Sequence, residues 1–248
     1  MKKTIVLIIL LICSICSSQN KTIDSLFIEF KKSSFYGSIY PAKMKLENFQ
    51  KKIIPKLIKL TQDTSFVKLT ETADLIYPGA DKYYGHGYYI PYDMDWISVR
   101  AGWLLEDLTF QNFGYKTTGI DNEYLFSLMK ENYNEYLKKG TYDLEWKNKT
   151  EKEKKKELRK LQAKKVEKWW KKNKKEWTRL SAIKEALKSN DEIRLSEVLQ
   201  YLRFRETKCD NYDQEIYVNE IKPLVEELKT TQYPEILTQV KLLLGIYQ

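Results

Sequence analysis

The chain has 248 residues, and its 43 Lys and Arg residues outnumber its 34 Asp and Glu residues, which gives a net charge of +9 at neutral pH. It contains three cysteines and one histidine, too few for a disulfide-stapled scaffold or for a zinc site built from His and Cys ligands. We therefore expect no metal ion, and no motif indicates a cofactor.

Residues 1–18 have the pattern of a secretory signal peptide. Two lysines precede an unbroken apolar run from Ile5 to Cys13, and a Cys/Ser cluster follows it. The run is well short of the roughly 20 residues that a membrane-spanning helix needs. Cleavage after Ser18 would deliver the protein to the periplasm, the cell envelope or the medium. In the alternative, Cys16 is the lipidated first residue of a lipoprotein.

The remaining residues, 19–248, are expected to form one all-α domain. Without the two signal lysines its net charge is +7, and its only cysteine is Cys209, so no internal disulfide can form. Within 19–140, apolar residues recur three or four positions apart, as on one face of a helix. These residues are Ile23, Leu26, Phe27 and Phe30; Leu46, Phe49, Ile53, Leu57 and Leu60; Val99, Trp103, Leu104 and Leu108 within Trp96 to Thr109; and Leu125, Leu128, Met129 and Tyr136 between a capping Asp121 and a terminal Gly140.

Glycine and proline mark the expected connections of this N-terminal part. They are concentrated from Gly37 to Pro41 and from Pro78 to Pro91, and both stretches predict turns or loops. The second stretch belongs to a long insertion, residues 64–94, which separates two predicted helices. No segment shows the alternating pattern of a β-strand.

A single strongly basic segment follows. Between Lys147 and Arg179, 16 Lys and Arg residues face only 5 Asp and Glu residues, a net charge of +11. A helix from about Thr150 to Asn173 is expected to carry it, either protruding from the body or lying across it on a narrow seam. All basic residues of this segment except two arginines are lysines, which disfavours specific contacts to nucleic-acid bases and bidentate binding of phosphate groups. The apolar positions of this helix are few: Leu158, Leu161, Val166 and Trp169.

Residues 180–248 are expected to form two helix pairs. In the first pair, the "SND" from Ser189 to Asp191 makes the turn, and in the second pair "TTQYPE" separates the helices. The apolar positions are Trp177, Leu180, Ile183 and Leu187, then Leu195, Val198, Leu199 and Leu202, then Ile216, Ile221, Leu224, Val225 and Leu228, and finally Ile236, Val240, Leu243 and Leu244.

Several segments resemble HEAT repeats of the kind found in bacterial exported proteins. "IIPKLIKLTQD", from Ile53 to Asp63, is similar to the first helix and turn of a repeat, and "DWISVRAGWLLEDL", from Asp95 to Leu108, is similar to the second helix. "SNDEIRLSEVLQYL", from Ser189 to Leu202, repeats the order of a turn Asp followed by an apolar residue and Arg, and the segment from Glu220 to Leu244 is similar more loosely. The core positions matched are Val99, Arg100, Ala101 and Leu105, then Asp191, Ile193 and Arg194.

The resemblance implies antiparallel helix pairs stacked as in an α-solenoid, interrupted here by an inserted Tyr/Gly-rich loop and one long basic helix. Such arrays usually present an extended surface to another macromolecule and have no catalytic pocket. By the same resemblance, Arg100 would be a structural residue that bonds between neighbouring repeats.

The stretch "YYGHGYYIPYDMDW", from Tyr83 to Trp96, is the first candidate contact surface. It surrounds the only histidine with five tyrosines and a tryptophan, and such flat rings provide contact area at a small entropic cost. The same loop could instead be a lid that folds back over the helical core. The residues predicted to touch a partner are Tyr83, Tyr84, His86, Tyr88, Tyr89, Tyr92 and Trp96, together with Trp170, which is expected to be exposed while Trp169 and Trp177 anchor the core.

Two alternatives to a plain binding protein remain. In the first, an envelope-acting enzyme uses His86 as a general base beside Asp93 and Asp95. No Ser, Cys or second His accompanies them to complete a known catalytic arrangement, and we therefore assign no catalytic residue. In the second, the segment Lys147 to Lys175 binds an anionic polymer or a membrane surface. We favour an exported helical-repeat protein that binds a protein or another component of the cell envelope. Nucleic acid is not an expected partner, because an exported protein meets little of it.

Overall fold

The computed structural model describes residues 22–70, 83–84, 88–89, 93–116, 150–204 and 212–245 of the chain. Apart from a two-residue ladder, the regular structure of these residues is helical, which confirms the all-α class. None of these helices is both long and apolar enough to cross a membrane. The residues of earlier predictions that lie outside the described ranges are the signal peptide at 1–18 with Cys16, the helix between Asp121 and Gly140, His86, Tyr92 and Cys209.

The N-terminal helices pack around one helix that is buried along its whole length. Helix α1 covers residues 22–32, α2 covers Tyr36–Glu47, α3 covers Ile54–Leu60 and α4 covers Ile97–Thr109. Every residue of α4 is buried, and both α2 and α3 pack against it. A helix that is enclosed on all sides is expected to be apolar around most of its circumference, so the charged residues inside α4 need partners from its neighbours.

The ends of the insertion at residues 64–94 are held together at its base. Phe66 and Trp96 form an antiparallel bridge, the Val67 N–H donates to the Asp95 carbonyl at 2.8 Å, and the Ile97 N–H donates to the Ser65 carbonyl at 3.1 Å. Further out, strands β1 (Tyr83–Tyr84) and β2 (Tyr88–Tyr89) pair antiparallel. The insertion therefore leaves and re-enters the helical body at one point.

The basic helix α5 covers Glu151–Asn173 and begins at a capping box. The Glu153 N–H donates to the Thr150 hydroxyl at 3.3 Å, and the Thr150 N–H donates to the Glu153 carboxylate at 2.8 Å, which satisfies N–H groups that a helix start leaves open. Leu158, Leu161 and Val166 are buried, and α5 packs against α3. Of the two predicted placements, α5 therefore lies across the body on a narrow seam.

The C-terminal part that the structure describes is also helical. Helix α6 covers Arg179–Leu187, α7 covers Glu192–Phe204, and α9 covers Pro234–Leu243. Helix α8 consists of Gln214–Ile216, a π-helical segment Tyr217–Ile221 and Lys222–Glu227. Contacts join α6 to α7, α6 to α8, α7 to α9 and α4 to α6. One cluster of buried side chains extends from Leu26 in α1 to Val240 in α9, so both halves share a core.

Two sequence predictions for the N-terminal half are wrong. The stretch Gly37 to Pro41 is not a connection but the start of α2, with Pro41 inside the helix. Pro41 removes only the bond to the Gly37 carbonyl, while burial of Ile39, Ala42 and Leu46 holds the helix to the core.

The helix predicted from Leu46 to Leu60 is broken in the middle. A 3-10 turn, Gln50–Lys52, separates α2 from α3, and Gln50 has a φ angle of 45°. Pro55 then occupies the first turn of α3, a position where its missing N–H costs no helical hydrogen bond. The apolar spacing continues across the break, so periodicity alone did not reveal it.

Candidate functional site

Arg100 connects α4 to the end of α1 and to the base of the insertion. Its side chain is fully buried and donates only to backbone carbonyls, a set that includes the open carbonyls at the end of α1. Burial lowers the pKa of Arg100 to about 10, against the opposing charge of Asp95. The acceptors are the carbonyls of Met94 at 2.6 Å, Phe30 at 3.1 Å, Lys31 at 3.2 Å, Ser33 at 2.7 Å and Val67 at 3.1 Å. Arg100 is therefore a structural residue.

The two aspartates of the enzyme alternative also make structural contacts. Asp95 is buried, and its carboxylate accepts the Leu69 N–H at 2.8 Å. Asp93 lies 2.7 Å from the ammonium group of Lys155 on α5. Both carboxylates thus hold the base of the insertion to its surroundings.

The aromatic residues predicted to contact a partner separate into two groups. Tyr83 pairs with Tyr89 and Tyr84 with Tyr88 in the β1–β2 ladder, and we call these four residues the tyrosine ladder. Trp96, by contrast, is only 8% exposed, and the edge of its ring packs against Phe66 at 5.3 Å between centroids. Trp96 is a core residue and not an available contact surface, because the bridge at the base of the insertion encloses it.

Trp170 is half-buried, and not the exposed ring that the sequence predicted. It stacks on Trp169 at 5.8 Å and meets the edge of Trp177 at 6.3 Å, while Trp169 packs edge-on against Phe113. Helix α5 ends at Asn173, and the chain then turns back so that Trp177, which is buried, reaches Trp170. The three tryptophans therefore anchor the end of α5.

The outer side of α5 carries a line of exposed lysines, each four residues from the next. We call these five residues the lysine stripe, and they are Lys156, Lys160, Lys164, Lys168 and Lys172. At a rise of 1.5 Å per residue the stripe is about 24 Å long. Both arginines of the basic segment, Arg159 and Arg179, are buried. The exposed positive charge of α5 is therefore entirely lysine, which the sequence alone could not show.

The opposite side of α5 is fixed to the body at three points. Near its start, Lys155 pairs with Asp93 at 2.7 Å. In the middle, the Gln162 amide donates to the Gly114 carbonyl at 2.8 Å. Just beyond its end, the Lys51 ammonium donates to the Lys175 carbonyl at 3.1 Å. The lysine stripe is thus presented on a helix whose position is set before any partner arrives.

The spacing of the stripe is unfavourable for an isolated helix. Side chains four residues apart are neighbours on a helix surface, and like charges at this spacing destabilise it by about 0.2 to 0.5 kcal/mol per pair. Glu157 lies 3.8 Å from Lys160, but each lysine of the stripe also has another lysine four positions away. Repulsion along the stripe therefore lowers the intrinsic stability of the helix.

A cleft of about 180 Å³ lies where the end of α4 meets α7. Its walls include Glu106, Lys116, Arg194 and Glu197. Glu106 accepts the N–H groups of Phe113, Tyr115 and Lys116 at 2.7, 2.9 and 3.2 Å. Burial raises the pKa of Glu106 to about 7, against the lowering influence of Lys116 and these N–H groups.

The cations of the cleft are held by internal partners. Lys116 lies 2.5 Å from Asp107 and 2.6 Å from Glu197; burial opposes its charge, but these carboxylates raise its pKa above the usual range. Arg194 donates to the Phe110 carbonyl at 2.7 Å and to Glu185 at 3.2 Å. These contacts make the cleft a joint between the two halves, which no sequence pattern indicated.

A buried ionic cluster continues from this joint. Lys43 pairs with Asp107, and Arg179 pairs with Glu47 at 3.0 Å. Arg179 also lies over the rings of Phe110 and Tyr201, at 4.3 and 4.4 Å from their centroids. These contacts link α2, α4, α6 and α7, and buried charges of this kind require such partners.

Nothing in the described parts of the chain groups three or more His, Cys, Asp or Glu side chains as a metal ion would require. Among the described side chains, the lysine stripe is the candidate contact surface. No protein-family model matches the chain, and no match is found among the curated proteins or the solved structures.

Proposed function

We propose that this is an exported, HEAT-like helical protein that binds an acidic component of the cell envelope through the lysine stripe of α5. The observation that carries the proposal is the stripe itself: five exposed lysines on one face of a helix that is anchored along its other face. Such a line of charge attracts an anionic partner and accelerates its association.

The anchoring of α5 favours binding on energetic grounds. Ordering a flexible cationic segment when a partner binds would reduce the net affinity. Here the backbone is already helical, and Leu158, Leu161 and Val166 fix it to the core. Only the lysine side chains lose freedom on binding, so most of the electrostatic attraction contributes to affinity.

The HEAT-like arrangement is part of the proposal and is supported by the C-terminal contacts. Helix α6 packs against both α7 and α8, while α7 also packs against α9. In stacked repeats, the first helices of successive pairs contact each other, and so do the second helices. A stacked array of this kind commonly serves as a scaffold for binding surfaces.

Export supports the choice of an envelope partner. The pattern of residues 1–18 predicts that the mature chain leaves the cytoplasm, with lipidation at Cys16 as the alternative. Cell envelopes present anionic polymers and anionic lipid headgroups at high density. Under either form of export, the lysine stripe would face such material.

The test measures how much of the purified protein sediments with envelopes isolated from the cells that produce it. In one variant Lys160, Lys164 and Lys168 are replaced by Gln, and in a matched control the exposed Lys188, Lys222 and Lys229 are replaced by Gln. We expect the first variant to lose most of its binding and the control to retain it, and added salt should release the wild type. Equal sedimentation of the two variants would refute the proposal.

The tyrosine ladder is a second candidate contact surface, favoured by the antiparallel register that brings Tyr83 to Tyr89 and Tyr84 to Tyr88. Aromatic contacts depend little on ionic strength, in contrast to exposed charges. Replacement of Tyr84 and Tyr88 by Ser should therefore reduce any envelope binding that persists at high salt. Unchanged binding of this variant at high salt would rule the ladder out.

A further inference from the structure

We infer that the partner of the lysine stripe is a linear polyanion that lies along α5, and not the surface of a lipid bilayer. This inference rests on the proposed function and specifies its partner class. It follows from the shape of the stripe, from the residues around it, and from the type of cation that it contains.

The stripe has the shape of a line. Successive lysines are four residues apart, so each step advances about 6 Å along the helix and turns about 40° around it. The five charges therefore follow a helical line that rises about 24 Å along the axis of α5 and turns about 160° around it, instead of forming a round patch. A flexible chain with an anionic group in each repeat can follow such a curve and meet the lysines in succession.

The face of α5 that carries the lysine stripe has no exposed apolar side chain, within residues 153–173, that could insert into the interior of a bilayer. Within residues 153–173 of α5, every exposed side chain is charged. Helices that lie in a membrane interface insert an apolar face among the lipids. The apolar face of α5, which includes Leu158, Leu161 and Val166, is already buried in the protein core, and Trp169 and Trp170 pack against that core.

The exposed cation is lysine, since Arg159 and Arg179 are both buried. A lysine ammonium acts as a compact point charge, whereas the planar arginine fork recognises individual groups in a fixed geometry. The stripe should therefore respond to the density and spacing of anions along a polymer and release condensed counterions on binding. Arg159 instead donates to Gln162 on the same helix at 2.7 Å, and its guanidinium lies 5.8 Å from the ring centroid of Tyr115 in the body.

The experiment compares four probes at equal anion concentration: tripolyphosphate, linear polyphosphate long enough to span the stripe, poly-L-glutamate and vesicles of phosphatidylglycerol. We expect tight binding of the long polyphosphate and weak binding of tripolyphosphate and vesicles. Replacing Lys160, Lys164 and Lys168 by Gln should weaken polyphosphate binding by about 100-fold, as three surface lysines typically contribute. It should also reduce the slope of log affinity against log salt by about 0.7 per lysine removed.

Replacing the same three lysines by Arg, which keeps their charge, should leave polyphosphate binding within about threefold of the wild type, because the attraction depends on charge and spacing. The ranking of polyphosphate against polyglutamate identifies which anion the stripe prefers, and stripe-dependent binding of either supports a linear polyanion. Vesicle binding as tight as polymer binding, or equal affinity for tripolyphosphate and the long chain, would overturn the inference. Failure of the proposed function is a separate result, in which the Gln variant still sediments with envelopes like the wild type.

Discussion

Arg100 satisfies five backbone carbonyls that are gathered from the end of α1 and from both ends of the insertion. Only an arginine has enough donors in a fixed fork to reach acceptors in this arrangement. Asp95 complements it by accepting the Leu69 N–H at the same base. At the scale of single residues, these two side chains hold the insertion in place.

Replacing Arg100 with Met should lower the free energy of unfolding by at least about 3 kcal/mol, because several buried carbonyls lose their donor together. Denaturant titration followed by circular dichroism measures this change. The control replaces Lys229, an exposed cation that follows α8, with Met and should change stability by less than about 0.5 kcal/mol. Similar small effects of the two substitutions would contradict the structural role of Arg100.

Glu106 makes the stability of the protein depend on pH. Burial raises its pKa from 4.5 to about 7, so the folded protein binds this proton more tightly than the unfolded chain does. The stabilising contribution is fully present below pH 4.5 and is lost as the pH rises through 7, with a size on the order of 3 kcal/mol. A Glu106→Gln variant lacks the titrating group but keeps an oxygen to accept the N–H groups of Phe113 and Tyr115.

We therefore expect the free energy of unfolding of the wild type to fall relative to that of Glu106→Gln as the pH rises from about 4 to about 8. Unfolding titrations of both proteins across this range measure the difference. Parallel pH profiles would show that Glu106 does not titrate in this window.

At the scale of elements, helical periodicity predicts α1, α6, α7 and α9 because each buries a regular stripe of apolar side chains. The same spacing predicts α4, although every residue of that helix is buried. Periodicity fails where two successive helices share one apolar stripe, as α2 and α3 do. The φ angle of 45° at Gln50 changes the direction of the chain but leaves the same residues facing the core. Periodicity also fails at Pro41, since the loss of one hydrogen bond near a helix start is smaller than the gain from burying Ile39, Ala42 and Leu46.

The basic helix α5 combines favourable anchoring with unfavourable surface charge. A Lys168→Glu substitution would replace two repulsive neighbours, Lys164 and Lys172, by two attractive pairs. We expect it to raise the free energy of unfolding by about 0.5 to 1 kcal/mol at low salt while it weakens polyanion binding. Lys168→Gln removes only the repulsion and should give about half of the gain.

Thermal unfolding at low and high salt measures this effect, which should disappear as salt screens the charges. Opposite changes in stability and binding cannot arise from a folding defect, so this variant separates the two properties. A variant that is both less stable and weaker in binding would show that Lys168 supports the fold.

At the scale of the whole molecule, the sequence revealed a concentrated basic segment but not its arrangement. The count of 16 basic residues against 5 acidic ones does not say that Arg159 and Arg179 turn inward. That depends on tertiary partners, which are the ring of Tyr115 for Arg159 and the carboxylate of Glu47 for Arg179. Likewise Trp96 and Trp170 looked like contact residues because local sequence does not show that Phe66, Trp169 and Trp177 enclose them.

Because the two halves share one core, we expect them to unfold cooperatively. Buried residues from Leu26 to Val240 form one cluster, and Arg179 joins α6 to α2 and α4 through Glu47 and the Asp107 carbonyl. In a stacked repeat array without such a joint, each unit contacts only its neighbours and terminal units can open alone. The effect of a destabilising substitution in α9 on the stability of α4 therefore distinguishes a cooperative globular unit from an array of nearly independent helix pairs.

Ile236 is fully buried in α9, and its replacement by Ala should cost about 3 kcal/mol through lost burial and the cavity left behind. We expect amide hydrogens of α4 to lose the same amount of protection from exchange, because α4 and α9 unfold together through the shared core. Replacing the adjacent exposed Glu235 with Ala serves as the control and should leave α4 unchanged. If exchange in α4 is unaffected while α9 opens in Ile236→Ala, the C-terminal pairs behave as separable repeats, and the buried Glu47–Arg179 pair does not couple the two halves.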